Sequence, residues 1–318
     1  VSQSSLPLAA ATSIGTGAVL VMNGALTGGS LIAVTILTWR LFAPVQQGVL
    51  LLPKLQDVLR LFQQIDALMK IPAEDNGGEG SLHLKSSGNL AARGLVLRHP
   101  KSISPALMGV QFDIPHGRFV TVTGKSGSGK TTLLRVLAGQ IEPQAGAVMF
   151  NELNITQLSS GFRARNIAYV SQRPVFFYGS VAQFLRLADP AADDSRLMDV
   201  VVELGLGDWL EGLPKGLNTR LDPSVDGQLL SSSVLTCLAV AQAFLTNPAV
   251  LLMDEPAGNM DMALEACLIE ALEARRGKMT SVVVTHRPSL MRRSDAVIFL
   301  NAGSAVMRDT AELDKQAS

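Results

Sequence analysis

The sequence predicts membrane α-helices followed by an α/β domain built around a glycine-rich loop. Three observations carry that prediction. The run Gly124-Lys-Ser-Gly-Ser-Gly-Lys-Thr131 stands between a β-branched segment, 118–123, and a helix-forming segment, 132–138. The first 53 residues contain a single charge, Arg40. The segment 249–256, Ala-Val-Leu-Leu-Met-Asp-Glu-Pro, is a hydrophobic strand that ends in two carboxylates, Asp254 and Glu255.

The membrane prediction comes first along the chain. A composition of 47% hydrophobic and 17% charged residues is more apolar than an ordinary soluble domain, and so is the mean hydropathy of +0.27. The excess lies in two runs, 6–22 and 30–52, separated by a short polar break at 23–29. Each run is about the ~20 residues that a helix needs to cross the hydrocarbon layer; two long buried helices of a soluble protein are the competing reading. Neither run reads as a removable signal, because no basic region precedes the first and a second follows at once. The chain starts at Val1, and its beginning reads as a cut through a longer membrane domain that leaves the last two helices. Lys54, Arg60 and Lys70 follow the second run while the break carries no Lys or Arg, so the positive-inside rule places everything after Pro53 in the cytosol. A charge at mid-bilayer is costly, so Arg40 is expected either to face a cavity or partner helix or to snorkel to the nearer interface. Leu55, Val58, Leu59, Phe62, Ile65 and Met69 then recur at three- and four-residue spacing, an amphipathic continuation of the second helix.

Domain limits follow from composition. Residues 1–71 are the membrane part with its helical extension, and 72–87, with Gly77-Gly-Glu-Gly80, are the linker. Residues 88–308 are the nucleotide domain, and 309–318 are a polar tail. Cys237 and Cys267 match no metal spacing and read as reduced structural thiols. A net charge of zero speaks against nucleic acid as a partner.

The glycine-rich run has the chemistry of a phosphate loop. Gly124, Gly127 and Gly129, with Lys125, Ser126 and Ser128 between them, let successive backbone N–H groups converge on a phosphate, and the helix that follows adds its dipole. Lys130 is expected to reach the β- and γ-phosphates, the Thr131 hydroxyl to hold Mg²⁺, and Thr132 to continue the binding segment. Downstream, Asp254 is expected to bind Mg²⁺ through water and Glu255 to polarise the attacking water. The strand 281–285 leads to His286, which either contacts the γ-phosphate or is a structural strand-end histidine. The strand 167–170 leads to Gln172, placed to reach both Mg²⁺ and the attacking water.

This order of motifs resembles the ATP-binding-cassette (ABC) transporters, over residues 6–308. The resemblance implies a cassette with an antiparallel β and an α-helical subdomain, and it assigns Gln172 to the Q-loop, 257–261 to the D-loop and His286 to the switch histidine. Pro105-Ala-Leu and Thr219-Arg-Leu look like exporter-type cassettes. It further implies ATP with Mg²⁺, an inner-membrane multi-pass half-transporter surrounded by lipid, and a second half-transporter as partner. The motifs at 24–33 and 40–46 look like the last membrane helices of type I secretion exporters, which export proteins or peptides. Those can work with a periplasmic adaptor and an outer-membrane channel.

Two departures from the family pattern stand out. His99 occupies the place of the aromatic residue that stacks on adenine, and imidazole can still stack there. The signature, normally Leu-Ser-Gly-Gly-Gln, reads Leu230-Ser-Ser-Ser-Val234. Ser231 keeps the hydroxyl, but serines replace two glycines and Val234 replaces a polar side chain. In this family the signature closes over the nucleotide of the other subunit, so a heterodimer with a partner of regular signature is expected in preference to a homodimer. The alternatives are an ATP-binding regulatory half with little hydrolysis, or an exporter of lipid or small molecules.

Overall fold

In the computed structural model the described residues are 2–69, 87–100, 102, 104–222, 230–258 and 260–312, side chains being described for 11–38, 40–41, 44, 54–66 and 69 of the first segment. The chain divides into two compact units, Val1–Glu74 and Asp75–Ser318. The expected linker falls almost wholly outside the described residues, as does the end of the tail.

The first unit is a pair of helices, α1 (Ser2–Met22) and α2 (Gly28–Met69). The polar break is the turn between them. Gly24 takes φ +75°, and the Ala25 N–H donates to the Leu20 carbonyl at 3.0 Å, so the last turn of α1 is closed through a left-handed residue. Thr27 Oγ1 accepts from the Ser30 N–H at 3.3 Å and starts α2. At 42 residues α2 is about 63 Å long at the standard rise, and the amphipathic extension is part of the same helix. Arg40 lies exposed on α2. Among the described residues no helix is long and apolar enough to cross a membrane. Residues 6–10 and most of 42–52, which belong to the two apolar runs, lie outside the described side chains.

The second unit is built on a six-stranded sheet in the order β12-β11-β3-β10-β9-β6. Its strands are β3 (Phe119–Thr123), β6 (Ile167–Val170), β9 (Val250–Asp254), β10 (Thr280–Val284), β11 (Ala296–Asn301) and β12 (Ser304–Asp309), all parallel except β12. Every residue of β9 and β10 is buried, as the centre of a parallel sheet covered on both faces requires. Side chains alternate between two cores. Phe119, Leu251, Met253 and Val283 face the helical side. Val120, Val122, Leu252, Val282 and Val284 face the other core, where an antiparallel sheet of β2 (Leu107–Ile114), β1 (Leu90–Leu97), β4 (Ala145–Phe150) and β5 (Leu153–Asn154) packs. The helices are α3 (Lys130–Leu137), α4 (Ser160–Asn166), α5 (Val181–Leu185), α6 (Asp194–Glu203), α7 (Gly207–Glu211), α8 (Ser232–Leu245), α9 (Met262–Glu273) and α10 (Pro288–Arg293), with a short ribbon of β7 (Gly179–Ser180) and β8 (Arg220–Leu221).

Candidate functional site

Register decides where the site lies. Val122 of β3 pairs with Val284 of β10, Val284 pairs with Asp254 of β9, and Met253 pairs with Val170 of β6. Four neighbouring strands therefore end level, and each is followed by one candidate: the loop 124–129, His286, Asp254 with Glu255, and Gln172. The carboxyl edge of a parallel α/β sheet is where such folds place ligands.

The loop itself is shaped by glycine. Gly124 has φ +154°, and a Cβ there would collide with the Leu300 carbonyl oxygen; Gly129 has φ +102°, and a Cβ there would collide with the Ala106 carbonyl oxygen. Gly129 is the N-cap of α3 and supplies no side-chain cap, which leaves the first N–H groups of the helix to an anion. Ser128 Oγ is buried with no hydrogen-bond partner among the described residues. A buried hydroxyl without a partner in a loop lined by N–H groups fits a phosphate ligand. Lys130 folds back over the loop, its Nζ donating to the Gly124 carbonyl at 2.8 Å and the Lys125 carbonyl at 3.1 Å. Ser126 and Thr132 lie in the same loop–helix segment, and the Thr132 hydroxyl sits 3.1 Å from His99 Nε2. That places His99 beside the first turn of α3, with its ring exposed.

Asp254 ends β9 and is buried. Burial pushes its carboxyl above the ordinary carboxylate range. A hydrogen bond with the Thr131 hydroxyl opposes the rise, the neighbouring Glu255 charge adds to it, and Arg135 and Lys130 counter it. A carboxylate and a threonine hydroxyl in contact, with a lysine nearby, form an oxygen donor set suited to a hard divalent cation such as Mg²⁺. Arg135 of α3 also hydrogen-bonds Tyr169 of β6, whose phenol burial raises above its usual value.

Glu255 is the strained point of this rim. It adopts φ +49° although it is not glycine, a backbone state that persists at functional sites when the surroundings enforce it. The enforcement here is the Glu255 N–H donating to the Val284 carbonyl at 3.0 Å, one strand across. Its carboxylate accepts from Gln172 Nε2 at 2.9 Å and lies 3.6 Å from His286 Nε2. Gln172, Glu255 and His286 thus form one cluster.

Ser231 stands apart from this cluster in the contacts it makes. Its hydroxyl caps α8 by accepting the Val234 N–H at 3.3 Å. Leu230 and Val234 are buried in the core on the helical side. The valine that looks, from the signature pattern, like the loss of a polar contact is a packed core residue in this chain.

One group escaped the sequence reading. Glu265 on α9 is buried at 5% exposure, paired with Arg287 and Ser289. The signal available was an acidic residue between the apolar Leu264 and Leu268 of a half-buried helix.

Residues 107–258 match the family model for the ABC transporter. The chain is 29% identical over 301 residues to an ATP-dependent lipid A-core flippase of Bordetella pertussis, a match covering 92% of this chain and 48% of that protein. It is 28% identical over 296 residues to the mycobactin import ATP-binding/permease protein IrtB of Mycobacterium bovis, covering 92% and 50%. The fold superposes with a TM-score of 0.73 on a bacterial Atm1-family ABC exporter with ATP bound, at 20% identity, over 98% of this chain and 55% of that one. The chain spans about half the length of the curated relatives it matches.

Proposed function

We propose that the chain is the ATP-hydrolysing part of an exporter subunit in the inner membrane, working with a second half-transporter, a reading supported by the match of residues 107–258 to the family model for the ABC transporter. The observation that supports this most is the level ending of four strands, which gathers Lys130, Asp254, Glu255, His286 and Gln172 on one rim.

The roles follow from the chemistry of each group. Loop N–H groups from 124–132 and the dipole of α3 hold the phosphates. Lys130 exchanges its two loop carbonyls for the β- and γ-phosphate oxygens. Thr131, Asp254 and Gln172 would hold Mg²⁺, which supplies charge neutralisation across the phosphates when bound. Glu255 orients and polarises the attacking water, and His286, held against Glu255, contacts the γ-phosphate. His99 lies where an adenine ring could stack.

The same reading treats Ser231, Ser232 and Ser233 as the segment that closes over the partner's nucleotide. A Gly-to-Ser change at the point of closest approach adds a Cβ where backbone must meet phosphate. The preferred assembly is therefore a heterodimer, whose good site combines this chain's rim with a partner's regular signature. The test is ATPase activity of the full-length chain alone and with a candidate partner half. Vigorous activity of the unmodified chain alone, unaltered by Ser232→Gly and Ser233→Gly, removes the need for a heterodimer.

For cargo, the membrane motifs at 24–33 and 40–46 favour a protein or peptide, passed on through a periplasmic adaptor and an outer-membrane channel. The names of the relatives favour a second reading, a lipid or small molecule. Stimulation of the reconstituted ATPase separates the two: a secreted peptide substrate from the same organism supports the first, and stimulation by lipid A-type glycolipid alone supports the second.

A further inference from the structure

We propose that Glu265 is a positioning residue that holds His286 in register with Glu255 and ties it to the segment 257–261, an inference that rests on the proposed hydrolytic role of this rim. The geometry begins with a carboxylate one turn into α9, whose side chain is 7% exposed. A charge so deeply buried must be paired on both oxygens. Glu265 Oε2 accepts from Arg287 Nη1 at 2.9 Å, and Oε1 accepts from the Ser289 hydroxyl. Both donors lie on the chain that carries His286 away from β10.

Arg287 then reaches further. Its Nη2 donates to the Met260 carbonyl at 3.1 Å, and its backbone N–H donates to Thr285 Oγ1 at 3.0 Å. The Thr285 N–H is itself fixed to the Val122 carbonyl at 3.0 Å. His286 is consequently the one residue between two anchored neighbours: Thr285 is tied to the strand that feeds the phosphate loop, and Arg287 is tied to α9. Its own side chain remains half-exposed and faces Glu255. Met260 immediately precedes Asp261, the N-cap of α9, whose carboxylate accepts the Leu264 N–H at 2.8 Å. One buried carboxylate thereby connects the segment 257–261 to the loop of the switch histidine. A guanidinium can serve both acceptors at once because its donors form a planar fork; a lysine can serve only as a point donor.

The consequence is that Glu265 acts through His286 and not on nucleotide affinity. The experiment uses the full-length chain with its partner half in detergent, and compares Glu265→Gln, His286→Ala and the double variant. Glu265→Gln is expected to lower kcat by about tenfold, a ~1.4 kcal/mol change in barrier, with the KM for ATP and the melting temperature unchanged. In the His286→Ala background the same substitution is expected to have no further effect. An equal fall in both backgrounds, or an unchanged kcat, overturns the proposal. If Glu265→Gln fails to fold, Arg287→Lys replaces it in the same cycle. A wild-type complex without ATPase activity would instead sink the proposed function, and a second readout then decides on Glu265. Histidine ring Cε1 resonances are followed by ¹³C labelling of this chain, with His286→Ala assigning the His286 signal. Glu265→Gln is expected to move the His286 signal and leave those of His99 and His116 in place. A stationary His286 signal overturns the positioning role.

Discussion

The rim at the sheet edge and the start of α8 face nucleotide in the same proposed reaction, yet they are built on opposite terms. The rim concentrates groups that are costly to hold: a left-handed glutamate, a buried aspartate with a raised pKa, and a buried hydroxyl without a partner among the described residues. The α8 start is locally comfortable. Ser231 caps the helix, Leu230 and Val234 pack in the core, and the serines favour the cap conformation. Backbone strain is concentrated at the sheet edge, in Glu255, while the start of α8 carries a regular serine cap. The difference teaches that a strained sheet-edge cluster and a well-capped start of α8 are separate properties, and the proposed reaction asks for the first together with an altered version of the family's second.

The largest effect is expected at the rim. Glu255→Gln keeps the shape and the contact with Gln172 but removes the charge proposed to polarise water, so turnover should fall by roughly 10²–10⁴-fold while ATP binding persists. Lys130→Ala should weaken nucleotide binding itself. Equilibrium binding of a fluorescent ATP analogue with single-turnover hydrolysis separates the two. Equal loss of affinity in both variants would make Glu255 a structural residue.

The comparison is sharpened next at α8. Replacing Ser232 and Ser233 by glycine is expected to raise the ATPase activity of the chain assayed without a partner, because in the proposed assembly a homodimer would use this segment at both sites, and to cost about 0.5–1 kcal/mol of stability per residue in the helix. Val234→Gln is a poorer restoration than the family pattern suggests, because it buries an amide beside Leu230 and Leu238. A melting curve that falls most for Val234→Gln, with no added activity, would confirm that position as packing. A triple restoration that outperforms the double one would contradict it.

A smaller effect concerns pH and Asp254. Its pKa is raised in the folded state, so the folded protein binds the proton more tightly than the unfolded chain does. Stability is therefore lost as pH rises from the ordinary carboxylate value, about 3.9, through the raised one, and at neutral pH the whole penalty is present. Asp254→Asn should raise the melting temperature at pH 7 without nucleotide, by about 2–4 °C for each kcal/mol relieved. The gain should shrink toward pH 4, and the variant should lose the stabilisation that MgATP gives the parent. A variant that melts lower at pH 7 would show that the contact with Thr131 outweighs burial.

Much of the rim was legible because each motif marks the end of a hydrophobic strand, and a parallel sheet brings such ends together. The phosphate loop, Asp254, Glu255, His286 and Gln172 all lie where strand-then-turn patterning places them. What was not legible depends on distant pairing. The left-handed state of Glu255 comes from the Val284 carbonyl on the neighbouring strand, and the Glu265–Arg287 link joins residues that no short motif connects. Val234 was legible in principle: Leu230, Val234, Cys237, Leu238 and Ala241 recur at helical spacing. The antiparallel sheet pairs β1 with β4 across about fifty residues, beyond the range of local pattern.

The smallest expected change tests whether the comfortable half of the comparison is as firmly packed as it looks. Cys237 lies on α8 six residues beyond Ser231, fully buried, and burial pushes its thiol up to about 12, with Cys267 and Asp261 adding to the rise. A thiol in that state has almost no thiolate at neutral pH, and thiolate is the form that alkylates. Cys267 is only partly buried, so it serves as an internal reference. A maleimide added to the folded protein at pH 7.5 should modify Cys267 well before Cys237, and mass spectrometry of the labelled peptides distinguishes them. Cys237 should become reactive only in denaturant or through local opening of α8. Ser231→Ala removes the cap, worth about 1 kcal/mol, and should therefore speed Cys237 labelling several-fold while leaving Glu255-dependent turnover on this chain's own rim unchanged. Labelling of Cys237 as fast as Cys267 in the parent protein would mean that α8 opens readily, and the altered signature would then be a mobile segment instead of a packed one.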